Sequence, residues 1–199
     1  LLFTSCSDDN DSNPTLDLSH VADGFVLNTP AYAENYTYDV AKAKYLTLSC
    51  TQPNYGDIPY VVRYYVQVAL DKKFLTDPTT THKELATSYT TAKMAVDAEE
   101  LNSTLVDMFQ AANPDADPDT SIPEMPVYVR LRAVLDGTTN PHLGECYSNI
   151  ITLPSVKATN KPSAKYPEKL FVVGSSIQDA WSSWKPVAPV YGMEGNYYT

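Results

Sequence analysis

The chain is short of positive charge. It has 14 Lys and Arg against 24 Asp and Glu, a formal net charge of −10 at pH 7, and a pI of about 4.6. That balance excludes a nucleic-acid partner, because phosphate binding relies on a basic surface that releases counterions. Acidity suits solubility outside a cell and neutral ligands such as glycans, though it selects neither. There is no run of 18 or more apolar residues, so no segment has the length of a membrane-spanning helix. Histidine is scarce as well. His20, His82 and His142 stand far apart without ligand-type spacing, which argues against a metal centre or a catalytic triad. No Gly-x-Ser-x-Gly, Gly-rich phosphate loop or His-Glu-x-x-His occurs. Asp115, Asp117 and Asp119 alternate like the first ligands of a calcium loop, but Thr120 replaces its glycine and Pro126 its closing glutamate. A solvated loop is the reading there. The adjacent Glu99 and Glu100 diverge on a helix and read as a cap and a solvated face. No catalytic residue, metal or cofactor is therefore expected, and the chain is not read as an enzyme.

What is present points to strands. Hydrophobic content is 43%, with 15 Pro and 15 Tyr and little Leu-rich helical periodicity, which predicts an all-β protein. At 199 residues there is room for one domain with a good core, or one domain and part of another. The organising stretch is Tyr60 to Phe74. Val62, Tyr64, Val66, Val68 and Leu70 share one parity, and Arg63, Gln67 and Asp71 the other. This alternation predicts a long strand with one wet face. Val127, Val129, Leu131, Ala133 and Leu135 repeat the pattern, opposite Tyr128, Arg130, Arg132 and Asp136.

Shorter strands are expected at Tyr45 to Gln52, Ala86 to Thr91, Met94 to Val96 and Tyr147 to Leu153. An irregular first strand through Leu16 to Leu18 and Phe25 to Leu27 is continued at its edge by Tyr36 to Val40. Asp97-Ala98-Glu99-Glu100 fits a helix cap with an acidic residue three positions on. Leu101, Leu105, Met108 and Phe109 then form one helical stripe, ending near Asn113-Pro114. About seven strands with one short helix before the sixth predict a two-sheet sandwich of the immunoglobulin or fibronectin-III type over residues 15–155.

The chain opens Leu1-Leu2-Phe3-Thr4-Ser5-Cys6 without Met. Residues 1–5 read as the end of a lipoprotein signal peptide, and Cys6 as the lipidated residue of a bacterial lipobox. Acyl chains there would hold the protein to a membrane at about 0.8 kcal/mol per buried methylene. Residues 6–14, polar and acidic, read as a disordered tether. An acidic run directly after such a Cys resembles the surface-export signal of some Gram-negative lipoproteins, which implies the outer membrane and the cell surface. Of the other cysteines, Cys50 lies on the apolar parity of its strand and Cys146 beside a turn. They are read as unpaired thiols with Cys50 in the core, since a disulfide needs its Cα atoms within about 7 Å.

Residues 156–168, rich in Lys, Pro, Ser and Ala, read as a linker that Pro162 and Pro167 stiffen. Residues 169–199 open with a strand, Lys169 to Gly174, and then carry both Trp residues, Trp181 and Trp184. So short a piece cannot bury a core of its own, so the sequence is expected to stop inside a second β domain.

Several segments together carry a resemblance. Phe25 to Ala31, Ser49 to Gly56, Tyr64 to Phe74, Glu100-Leu101-Asn102 and Val129 to Ala133 occur in order after the lipobox. With them the chain, over roughly residues 6–199, resembles SusE-type outer-membrane lipoproteins of starch-utilisation and related glycan-uptake systems. Cys50 departs from the Trp or other apolar residue often found in that family. The resemblance implies an N-terminal immunoglobulin-like spacer and, from residue 169, the start of a carbohydrate-binding domain. It also implies a polysaccharide or oligosaccharide ligand, an outer-membrane transporter and a partner glycan-binding lipoprotein. Trp181 and Trp184 are the candidate sugar-stacking residues, since the axial C–H face of a pyranose lies flat on an aromatic ring. Either could instead pack the core of the domain it opens. Two rival readings are a fibronectin-III-like protein-binding or adhesive module, and the non-catalytic N-terminal domain of a surface glycoside hydrolase.

Overall fold

The computed structural model describes residues 15–56, 59–116 and 122–160. They belong to the first of two compact units, Leu1–Lys161; the second, Pro162–Thr199, lies outside the described residues.

The described residues form nine strands and one α-helix: β1 (Leu27–Asn28), β2 (Tyr38–Asp39), β3 (Tyr45–Cys50), β4 (Val62–Ala69), β5 (Lys83–Tyr89), β6 (Lys93–Asp97), α1 (Ala98–Ala112), β7 (Met125–Leu135), β8 (Cys146–Tyr147) and β9 (Ile151–Lys157). One sheet has the order β1-β3-β6. The other runs β2-β9-β7-β4-β5, with β8 beside β7. The fold is an all-β sandwich with one helix.

The centre of the larger sheet is the antiparallel pair β4–β7, registered Val62 to Leu135 through Ala69 to Tyr128. Val62, Tyr64, Val66 and Val68 meet Val127, Val129, Leu131, Ala133 and Leu135 on the inner face, all of them buried. From the other sheet Leu27, Leu46, Leu48, Met94 and Val96 complete the core. Burial of one such aliphatic side chain is worth about 1.5–3 kcal/mol, so this interior holds the two sheets together.

The long strand stops earlier than its alternation suggests. β4 ends at Ala69, and Asp71 caps a 3-10 turn over Lys72–Leu75 by accepting the Lys73 N–H at 2.8 Å. The turn drops Phe74, fully buried, onto the outer face of the sheet. The face expected to be wet is therefore dry at its centre: Gln67, Tyr128 and Arg130 are buried there. The expected first strand is also divided. β1 pairs with β3 in one sheet, while β2 runs parallel to β9 in the other. At the start of β1 the chain also touches the larger sheet's segment, Phe25 pairing with Ser148 and the Asn149 side chain holding the Leu27 N–H and C=O. The last strand splits because the Ser148 hydroxyl takes the Leu131 N–H at 2.8 Å and breaks the ladder. A register shift between Met125 and Val127 coincides with Pro126 and Pro154, neither of which has an N–H to give.

Helix α1 forms where the sequence places it. The Asp97 side chain accepts from the Glu99 and Glu100 N–H groups, both at 2.9 Å, and Leu101, Leu105 and Met108 are buried with Phe109 packed beside them. Asn113 closes the last turn by donating its N–H to Phe109 and Gln110. Glu100, expected to share the cap, acts elsewhere. At the β4–β5 register shift, three residues of β5 stand against the single Val66. Glu100 Oε1 accepts the Ala86 and Thr87 N–H groups at 2.5 and 3.1 Å, filling a bulge whose amides have no ladder partner. The domain also runs past its expected boundary at residue 155. Val156 and Ala158 are buried, and Asn102 exchanges two 3.0 Å hydrogen bonds with the Thr159 backbone.

Candidate functional site

Two surfaces concentrate chemistry. The first is a cleft of about 610 Å3 lined by residues of the 30–47 segment, within the range of about 300–1,000 Å3 typical of small-molecule sites. Its shape follows from the local sequence. Pro30 starts a turn into a 3-10 segment, Ala33–Asn35, whose Ala33 is buried and anchors the loop. Tyr32, just ahead of that segment, has φ 66° and ψ 13°. It is the one non-glycine with a positive φ among the described residues, a conformation that costs a bulky side chain about 1–3 kcal/mol. The residue is 82% exposed. Tyr36 and Tyr45 are exposed too, and Tyr38 is half-buried, its ring edge-to-face with Tyr36 at 4.9 Å. Burial, helped by Tyr36, raises the Tyr38 hydroxyl above the usual phenol range.

Val40 and Leu46, both buried, form part of the cleft lining. Its polar lining includes Asp39, whose carboxylate meets Lys42 Nζ at 3.4 Å, and Thr47. Lys44 Nζ lies 5.2 Å from the Tyr45 ring centre. The lining thus offers flat apolar ring faces bordered by hydroxyls and a neutralised ion pair. It supplies one carboxylate, whereas glycosidic hydrolysis uses two.

The second surface is the outer face of β4, β5, β7 and β8. Arg132 makes two 2.8 Å bonds to Glu84, a third bond to Glu145 at 3.3 Å, and stacks 4.3 Å from the Tyr65 ring centre. Arg130 lies between the rings of Phe74 and Tyr147, at 5.0 and 4.4 Å, and donates to Gln67 at 2.7 Å. Gln67 in turn donates to Glu84. Arg63 grips Asp136 through two bonds of 2.8 and 2.9 Å. Arg132 holds the Glu84 carboxyl below the usual range, and Glu84 raises Arg132. Burial pushes Glu145 up, but donors Tyr147 and His142, with Arg132, hold it below that range. Burial and Glu145 push the Tyr147 hydroxyl up to about 12. Desolvation lowers Arg130. Arg63 and Arg132 are matched by carboxylates and Arg130 is held by Gln67 and two rings, so this face is a fastening between strands rather than an open site.

The residues singled out in the sequence do not converge. His20 pairs with Asp23, His82 packs on Phe74 and bonds Thr80, and His142 pairs with Glu145. Among the described residues no three His, Cys, Asp or Glu side chains are grouped to hold a metal. Cys50 and Cys146 are free and buried. Burial raises Cys50 to about 11, and raises Cys146 as well, so both thiols stay protonated at neutral pH and inert. Cys6, Trp181 and Trp184 lie outside the described residues, as does most of the Asp115–Asp119 stretch. The tyrosine cleft was not among the sequence candidates. Its signal was there: Tyr32, Tyr36, Tyr38 and Tyr45 are four of the chain's 15 tyrosines, set among small and polar residues.

No solved structure matches the chain. A family model, that of the SusE outer membrane protein, matches residues 8–132. That match spans more than half of the chain and places it in the SusE outer membrane protein family.

Proposed function

We propose that the protein is a surface-exposed glycan-binding accessory lipoprotein of an outer-membrane uptake system, with starch or a related polysaccharide as its ligand. The observation that carries this reading is membership of the SusE outer membrane protein family across residues 8–132. In this reading Cys6 bears the lipid, residues 6–14 are the tether, and the sandwich is a spacer. Trp181 and Trp184 stack on sugar in a carbohydrate-binding domain that starts at residue 169. The role is non-catalytic, and an outer-membrane transporter and a second glycan-binding lipoprotein are its partners. The spacer role is supported by a sandwich whose outer-face arginines are all engaged by side chains of the same domain.

Titration of the full-length protein with soluble α-glucans and other polysaccharides tests the ligand. Saturable binding is expected, and no binding to any of them overturns the carbohydrate assignment. Metabolic acyl labelling tests the anchor: label is expected on the natural chain and not on Cys6→Ala, and equal labelling of both removes the anchor.

A further inference from the structure

We infer that the tyrosine cleft of the first domain is itself a saccharide site, taking one or two pyranose units of a neutral glycan. The inference rests on the glycan reading above but goes beyond it, because that reading gives the domain only a spacing role. Three observations carry it.

First, Tyr32, Tyr36 and Tyr45 expose their rings around one cleft of about 610 Å3. A ring left in water at three neighbouring positions forgoes burial that the fold could have used. Second, Tyr32 holds its exposed ring on a left-handed backbone with φ 66°. Glycine or Asn would sit there at lower cost, so the ring is kept at the expense of stability, as at binding sites elsewhere. Third, the polar lining is neutral overall, Asp39 being paired with Lys42. Together with the net charge of −10, this disfavours an anionic ligand and leaves one with hydroxyls. A pyranose meets both demands: its C–H face stacks on a ring, and its equatorial hydroxyls reach phenols, carboxylate and ammonium.

The test uses the full chain with ring-labelled tyrosine, titrated with maltoheptaose and, as a β-linked probe, cellohexaose. Ring signals of Tyr32, Tyr36 and Tyr45 are expected to shift with one of the two. Tyr36→Ala and Tyr45→Ala should each weaken that response about 3- to 10-fold. Tyr32→Gly separates binding from folding: it should weaken the response while raising the melting temperature. A Tyr32 kept for the fold would instead lower the melting temperature on that change. If the full chain binds a probe, loses it in Trp181→Ala or Trp184→Ala, and leaves the three tyrosine rings unmoved, the cleft assignment fails and the glycan reading stands. If neither these probes nor the wider polysaccharide panel binds, both fail.

Discussion

Removing the Glu100 carboxylate should loosen β5 far more than its place on a helix surface suggests. Glu100 Oε1 is the acceptor for two consecutive amides, Ala86 at 2.5 Å and Thr87 at 3.1 Å. Its second oxygen is buried without a partner among the described residues. A hydrogen bond to a charged group contributes about 1.5–3 kcal/mol when well buried. Ala86 and Thr87 are exposed, so water replaces much of what is lost. The carboxylate also sits in the first turn of α1, where the helix dipole adds about 0.3–1 kcal/mol. Together these give a cost of about 1.5–3 kcal/mol for Glu100→Ala. In a domain of this size that lowers the melting temperature by about 5–10 °C.

Two assays follow the same variant. Urea unfolding should show a lower midpoint with an unchanged slope. Amide exchange should show faster exchange at Ala86 and Thr87, with Leu101 and Leu105 in the helix still protected. Glu100→Gln retains an acceptor oxygen and should cost less than half as much. Glu99→Ala, on the exposed neighbour, should stay within about 0.5 kcal/mol of the natural chain. Unchanged exchange at Ala86 and Thr87 in Glu100→Ala, with the helix intact, would refute the assignment of Glu100 to the bulge.

Other perturbations test the outer face and the domain's exit. The Glu84 carboxyl titrates below its usual value because Arg132 binds it. Its contribution is therefore present above the unfolded carboxylate range and is lost as pH falls through the lowered folded value. The acid side of a melting-temperature profile should be flatter in Glu84→Gln than in the natural chain, and an identical slope would contradict the pair. Arg130→Lys should cost about 1–3 kcal/mol in urea unfolding, because an ammonium cannot stack flat between Phe74 and Tyr147. A Cβ at Gly24, φ 66°, would come within 2.5 Å of the Tyr147 carbonyl oxygen. Gly24→Ala should thus destabilise by about 1–3 kcal/mol, and a neutral result would remove the close approach. Asn102→Ala deletes both bonds to Thr159. It should speed amide exchange at Thr159 and cost about 1–3 kcal/mol.

The inner faces of β4 and β7 were legible because a local period of two reports burial on one side. The outer face was not. Arg63, Gln67, Arg130 and Arg132 read as a solvated parity, and what covers them comes from far along the chain. Phe74 arrives on a turn and Tyr147 on β8, opposite Arg132. Periodicity sees only neighbours in sequence, so it cannot distinguish a wet face from one whose polar groups are stacked and paired. The break at Ser148 was hidden for a similar reason. Tyr147 to Leu153 alternates well, and only the contact of its hydroxyl with the distant Leu131 N–H interrupts the ladder. In the cleft, tyrosine density was readable, but its gathering into one hollow depends on the Tyr32 backbone and the parallel seat of β2 on β9.

The family match and the fold end at different places, and the difference has a physical reading. The matched residues stop at 132, inside β7. β7 cannot be cut there, because its register with β4 continues to Leu135, and β8 and β9 pair along its other edge. Glu100-Leu101-Asn102 shows why the later strands belong to the same unit. Glu100 holds the β5 bulge, Leu101 fills the core, and Asn102 clasps Thr159 beyond β9. Three consecutive residues on one helix thus fasten an edge strand, the interior and the end of the sandwich. Thr159 is thus tied to the core through Asn102 and through the β7–β9 ladder.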